Sequence, residues 1–246
     1  MIGSRARDAI DHLVLSPHPD DAVWSLGARI ARWRRQGNWV VVLTVFDGPG
    51  TDSVVGRDVR ALSTPPSTRR AEDHAALSLL GVTLHSLGLP DAATRHSDGA
   101  PRYPSVTRLF ATPHPDDVAL MDRIAEAVGI RRGGGTVVHT PLAAGGHVDH
   151  RLTRAAARRT STRALEWYED FPYTVRARHH QGLVRRSSAL AETDVDVWLD
   201  AARCYVSQAR SLFGGTDALT AALRARARPR EGDDPIRLHE HHWVCA

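Results

Sequence analysis

Apolar positions along this chain follow two alternating rhythms. Short apolar runs at His12-Leu13-Val14-Leu15-Ser16, Trp39 to Phe46 and Thr136-Val137-Val138-His139-Thr140, and the segment Val82 to Leu87, predict β-strands. Between them the apolar residues recur at helical spacing. Val23, Leu26, Ile30 and Trp33 mark one helix, with Gly37 as its stop, and Thr68 to Leu80, Val118 to Val128 and Leu152 to Ala157 mark three more. The run from Trp39 to Phe46 is apolar at almost every position, which predicts a central parallel strand covered on both faces. Strand and helix in alternation mean right-handed βαβ units and an α/β class with a mainly parallel sheet. Two connections, Asp47 to Ser67 and Pro90 to Pro115, are far longer than such units need and are expected to act as lids or substrate walls.

Two short polar runs follow predicted strands. His18-Pro19-Asp20-Asp21 comes after the first, and His147-Val148-Asp149-His150 after the last, behind Gly145-Gly146, where the backbone can turn sharply. Loops at the carboxyl ends of strands are where open α/β sheets bind ligands. A catalytic metal needs about three ligands from His, Asp, Glu or Cys, with a position left open. His18, Asp21 and His150 can supply them, which leaves Asp20 and His147 beside the ion. A carboxylate there can take a proton from water, and an imidazole can stabilise or protonate what develops opposite. Zinc suits mixed His and Asp ligation, and ferrous iron or cobalt fits the same donors.

The run Pro17-His18-Pro19-Asp20-Asp21 with Ser25-Leu26-Gly27, followed by Gly146-His147-Val148-Asp149-His150, resembles the PIG-L/LmbE family of zinc-dependent N-deacetylases. The likeness extends to Arg70-Ala71-Glu72-Asp73, Leu89-Pro90-Asp91-Ala92 and Tyr168-Glu169-Asp170-Phe171-Pro172-Tyr173. It implies a Rossmann-like three-layer fold whose long loops form the active site, and hydrolysis of an acetamide on an amino sugar. In that pattern His18, Asp21 and His150 hold Zn2+ and Asp20 is the general base. Protonated His147 stabilises the oxyanion or helps the amine leave, and Asp149 orients a neighbouring His. Asp47, Arg70, Asp91 and Arg95 are expected to line the sugar pocket. One departure is visible: Ala22 stands where many members carry Glu. The family spans sugar lipids, thiol cofactor precursors and glycosylated antibiotics. With no apolar segment near membrane-spanning length, the expected substrate is an N-acetylated amino sugar or glycoside of antibiotic type. The rivals are a deacylase or amidase for longer or non-sugar amides, and a non-catalytic carbohydrate-binding protein on the same fold. Asp20 counts against the last, because binding alone needs no base beside the water.

Pro113-His114-Pro115-Asp116-Asp117 repeats the first run residue for residue. It lacks a preceding apolar strand and a second His-x-Asp-His, so Asp116 or Asp117 is expected to serve the following helix as a cap or dipole partner. The tail His239-Glu240-His241-His242-Trp243 is rich in histidine, but it reads as a strand that packs Trp243 inward and exposes alternate residues.

Composition narrows the class further. A chain of 246 residues with 42% hydrophobic content can bury a full core, and nothing along residues 1–246 calls for more than one domain. Net charge +4 and a pI near 9.6 invite a nucleic-acid reading. All 32 basic residues are arginine, however, and their clusters, Arg32 to Arg35 and Arg224 to Arg230, sit at predicted helix ends with no interleaved aromatic motif, so no nucleic-acid partner is expected. Cys204 and Cys245 are too few for a disulfide framework, and Met1 to Asp11 has no apolar signal core. A cytoplasmic enzyme without membrane insertion is the expectation.

Overall fold

The computed structural model describes residues 9–50, 64–160, 164–173, 180 and 182–246. Most of the connection from Asp47 to Ser67 therefore lies outside the described residues, as does the start of the N-terminal segment. The first half alternates as the pattern predicts: β1 (His12–Ser16), α1 (Asp21–Arg35), β2 (Val40–Thr44), α2 (Pro66–Leu79) and β3 (Thr83–Ser86). The connection from Pro90 to Pro115 is more structured than a plain loop. It contains a 3₁₀ turn at Ala92–Thr94, a small hairpin of β4 (His96–Ser97) and β5 (Ala100–Pro101), and one turn of helix, α3 (Val106–Leu109). Then follow α4 (Val118–Arg131), β6 (Val137–Pro141), α5 (Val148–Arg159) and β7 (Leu165–Tyr168). The C-terminal part adds β8 (Leu183–Ala189), α6 (Glu192–Ala202), α7 (Val206–Phe213), α8 (Thr216–Arg226) and β9 (His239–Cys245).

The seven-stranded sheet runs in the order β3-β2-β1-β6-β7-β9-β8. Its first five strands are parallel, and β9 and β8 complete it antiparallel. Period-2 alternation divides the core into two layers. Val14, Val40 and Val42 face α1, α6 and α8 through Leu26, Ile30, Trp198 and Leu223, whereas Leu13, Leu15, Val41 and Leu43 face α4 and α5 through Ile124, Val128 and Leu152. This is the expected Rossmann-like, three-layer α/β architecture. Gly27 permits the closest helix contact: a Cβ there would stand 2.1 Å from Cδ1 of Trp198, whose Nε1 donates to the Val23 carbonyl at 2.7 Å.

The run from Trp39 narrows to Val40–Thr44, paired in parallel on both sides and buried along its whole length as expected. Two expectations need correction. The helix of the second motif starts at Val148, not Leu152, so His150 lies in its first turn. The C-terminal tail is a strand but does not expose alternate residues. Inserted between β7 and β8, it is covered on both faces, and His239 to Trp243 are all buried. Among the described residues no helix is long and apolar enough to cross a membrane.

Candidate metal centre and its pocket

Strand order brings the two motifs together. From β1 the chain winds outward through β2 to β3, then returns to the other side of β1 with β6, so β1 and β6 are neighbours at the point where the winding reverses. The loops leaving their carboxyl ends diverge there and frame a crevice. Ser16 ties down the first loop, because its Oγ donates to the His18 carbonyl at 2.6 Å and accepts from Ala22 N–H at 3.0 Å. Asp20 pays for the tight entry into α1 with φ 106°, a strained value for any residue but glycine. In the second loop Gly146, at φ 80°, makes the turn, and His147 caps α5 by accepting the Asp149 N–H on Nδ1.

Three donors converge. Asp21 Oδ2 lies 3.2 Å from His18 Nδ1 and 3.3 Å from His150 Nε2. Those separations match the edges, about 3.3–3.5 Å, of a tetrahedron built on metal bonds of about 2.0–2.1 Å. The outward nitrogen of each histidine also has a carboxylate: His150 Nδ1 meets Asp170 Oδ2 at 2.9 Å, and His18 Nε2 meets Asp149 Oδ2 at 3.0 Å. A histidine held in this way from behind presents its other nitrogen as a ligand. Nitrogens of His18, His147 and His150 also lie within 4.8 Å of one another, as do ligand atoms of His18, Asp91 and Asp149. The second grouping is the poorer cradle, because Asp149 is already saturated by Arg95 Nη2 at 2.5 Å and Ala92 N–H at 3.0 Å. The donor chemistry is that of a divalent-cation site.

The electrostatics agree. Burial would lower the imidazolium of His18, but the carboxylates of Asp91, Asp149 and Asp21 hold it up at about 9, and Asp21 and Asp170 raise His150 against its burial in the same way. The centre therefore favours positive charge. Asp20 goes the other way: burial pushes its carboxyl up to about 7, with Arg69 opposing and Asp21 reinforcing the rise. Its Oδ2 lies 3.4 Å from Arg69 Nη2. Burial, with His18 beside it, drives His147 down to about 3. With Nδ1 accepting from the backbone, its proton sits on Nε2.

His18, Asp20, Asp21, His147 and His150 open onto one cavity of about 340 Å³. His18, Asp20, Asp21, His147 and His150 form its polar end, and Trp24, Phe46, Phe110, Phe171 and Tyr173 supply apolar walls. Gly145 lets Tyr173 close against the second loop, since a Cβ there would stand 2.2 Å from the ring.

The four expected pocket residues separate. Asp47 and Asp91 line the cavity. Asp47 Oδ1 accepts from Gly88 N–H at 3.0 Å, and Asp91 caps the 3₁₀ turn through Ala93 N–H at 2.9 Å and stands 3.4 Å from Arg69. Arg70 is not among the lining residues. It binds the Asp47 carbonyl at 2.6 Å, and Arg69, its neighbour in α2, takes the cavity-facing position. Helical residues one apart point about 100° away from each other, and in an Arg-Arg pair the sequence does not say which faces inward. Arg95 is also absent from the lining. It is buried behind Asp149, with its guanidinium 5.1 Å above the Phe46 ring. Nothing in the sequence marks Asp170 as a partner of His150 beyond its place in the Tyr168–Tyr173 run.

Three comparisons bear on this geometry. A 2'-N-acetylparomamine deacetylase of Streptomyces fradiae is 34% identical over an alignment of 168 positions that covers 65% of this chain and 57% of that protein. One of the same name from Niallia circulans is 28% identical over an alignment of 186 positions that covers 65% of this chain and 66% of that one. The chain thus spans less than two thirds of the length of the curated relatives it matches. A crystal structure of the zinc-inhibited form of a teicoplanin deacetylase superposes with a TM-score of 0.77 at 26% identity, covering 96% of this chain and 98% of the other. The model of one family, described as GlcNAc-PI de-N-acetylase, matches residues 13–161, and this chain is a member of that PIG-L family.

Proposed function

We propose that this protein is a metal-dependent N-deacetylase that removes acetate from an N-acetylated amino sugar in a small antibiotic-type glycoside. The observation that carries the reading is Asp20. It is a buried carboxylate with a raised pKa, next in the chain to Asp21, on which His18 and His150 converge, and at the wall of a cavity large enough for a sugar ring. His18, Asp21 and His150 would hold the cation, with zinc proposed for its preference for four N and O ligands. A cation bound there supplies Lewis acidity, acidifying a water and polarising the acetyl carbonyl. Asp20 then accepts one proton from the water as its oxygen forms a bond to the carbonyl carbon. Neutral His147 donates a hydrogen bond from Nε2 to the carbonyl oxygen as negative charge gathers on it. When the C–N bond breaks, Asp20 returns its proton to the departing nitrogen, leaving acetate and a free amine. Asp149 and Asp170 keep the two ligand histidines in register from behind, and Asp91 with Arg69 offers polar contacts for sugar hydroxyls.

Relatives named as deacetylases of 2'-N-acetylparomamine, and a solved neighbour from the teicoplanin system, support an amino-sugar substrate. The test is acetate release by the zinc-loaded protein from N-acetylated aminoglycoside and glycopeptide-type sugars, with the N-octanoyl analogues alongside. Turnover of an N-acetyl sugar is expected. Turnover of only the octanoyl compounds would reassign the enzyme as a long-chain deacylase, and no turnover of any amide would remove the proposal.

A further inference from the structure

The second His-Pro-Asp-Asp run is wired to the metal centre. Asp117 is completely buried and occupies the N-cap position of α4, but its side chain makes no capping hydrogen bond. Its carboxylate accepts from the Tyr103 hydroxyl at 2.6 Å and from Arg102 Nη1, and pairs with Arg95 Nε at 3.2 Å. Arg95, itself buried between the rings of Phe46 and Tyr103, extends Nη2 to Asp149 Oδ1 at 2.5 Å and Nη1 to the Pro90 carbonyl at 3.2 Å. The other oxygen of Asp149 receives His18 Nε2. An unbroken line of buried contacts therefore runs Asp117, Arg95, Asp149, His18, and it ends on the nitrogen opposite the one that faces Asp21.

We infer that Asp117 and Arg95 are positioning residues for the metal centre, fixing Asp149 and through it the ring of His18. The inference rests on the metal-site reading of His18, Asp21 and His150, but not on the identity of the acyl substrate. A guanidinium buried between two carboxylates, hydrogen-bonded to Asp149 and ion-paired with Asp117, keeps its place only while both are charged, because an uncompensated buried ion is strongly unfavourable. Neutralising Asp117 frees one side of Arg95. Asp149 then loses its fixed orientation, and His18 can rotate about the axis that aims Nδ1. Partners behind metal ligands typically account for about 10–100-fold in metal affinity, and Arg95 and Asp117, one and two contacts behind Asp149, are expected at the lower end.

The experiment measures zinc affinity of the full-length protein, stripped and reloaded, by competition with a chromophoric chelator. Asp117→Asn is expected to bind zinc about tenfold more weakly than the parent. Arg95→Lys keeps the charge but not the fork that spans two carboxylates, and it should show a similar loss if Asp117→Asn does not fold. Asp116→Asn, in the same run but facing Ser97 and Arg102 at the surface, should stay within about twofold of the parent. Parent-like affinity in both Asp117→Asn and Arg95→Lys, whatever happens to their melting temperatures, would make the line a purely structural brace and overturn the inference. A parent that binds no zinc would fail the metal reading itself, an outcome distinct from either.

Discussion

Residues 17–21 and 113–117 are the same five amino acids, and the fold puts them to different use. The first run leaves the carboxyl end of β1 beside β6, and its Asp21 begins a 15-residue helix with Oδ2 turned toward His18 and His150. The second follows a single helical turn, α3, and forms a 3₁₀ turn with no strand before it. Asp20 is strained at φ 106° with its side chain only 7% exposed, whereas its counterpart Asp116 is 49% exposed and takes Ser97 and Arg102. His18 is boxed in by Asp21, Asp149 and Asp91, whereas His114 spends Nδ1 on capping Asp116 N–H. Identical side chains thus yield the proposed cation cradle in one place and an anchor in the other. What differs is the strand they leave and the loop they meet, and a five-residue motif carries chemistry only at a position where a second loop can complete it.

The largest way to break this comparison is Asp20→Asn. It should lower kcat by about 10³-fold while zinc content stays at the parent level, since positioned general-base catalysis contributes about 10²–10⁴-fold. The parent's pH profile sharpens the same point. Asp20 must be ionised to accept a proton, so kcat/KM falls as pH drops through its pKa. Burial sets that value at about 7, and a bound divalent charge lowers it toward the ordinary carboxylate range, so the acid limb should lie between the two. A profile flat down to pH 4, or Asp20→Asn retaining parent rates, would move the base elsewhere. Next in size comes the loss of zinc affinity expected for Asp117→Asn. The smallest effect belongs to His114→Ala, which removes a cap worth about 1 kcal/mol. It should lower the melting temperature by about 2–4 °C for a domain of this size and leave kcat/KM within about twofold.

Much of this was legible from pattern. Short apolar runs set against 3.6-residue spacing locate the first three parallel strands, β6 and their helices, and the strand-motif-helix order places both runs at carboxyl ends. Other features depend on contacts that no local pattern encodes. Which of Arg69 and Arg70 faces the cavity follows from how α2 packs, not from propensity. The all-buried tail follows from β8 adding outside β9, a long-range pairing that the alternation of His239 to Trp243 does not announce. Asp117 looked like a helix-end acid because the expected cap was the nearest role for it. Its actual partners, Arg95 and Arg102, come from the hairpin segment some 15 to 22 residues earlier.

The most direct test of the central claim is a crystal structure of the zinc-soaked protein, with anomalous difference maps recorded on either side of the zinc edge. The account predicts one strong peak within bonding distance of His18, Asp21 and His150, and none at His114 to Asp117. A peak at the second run, or one ligated by Asp149 and Asp91 with Asp21 left out, would contradict it.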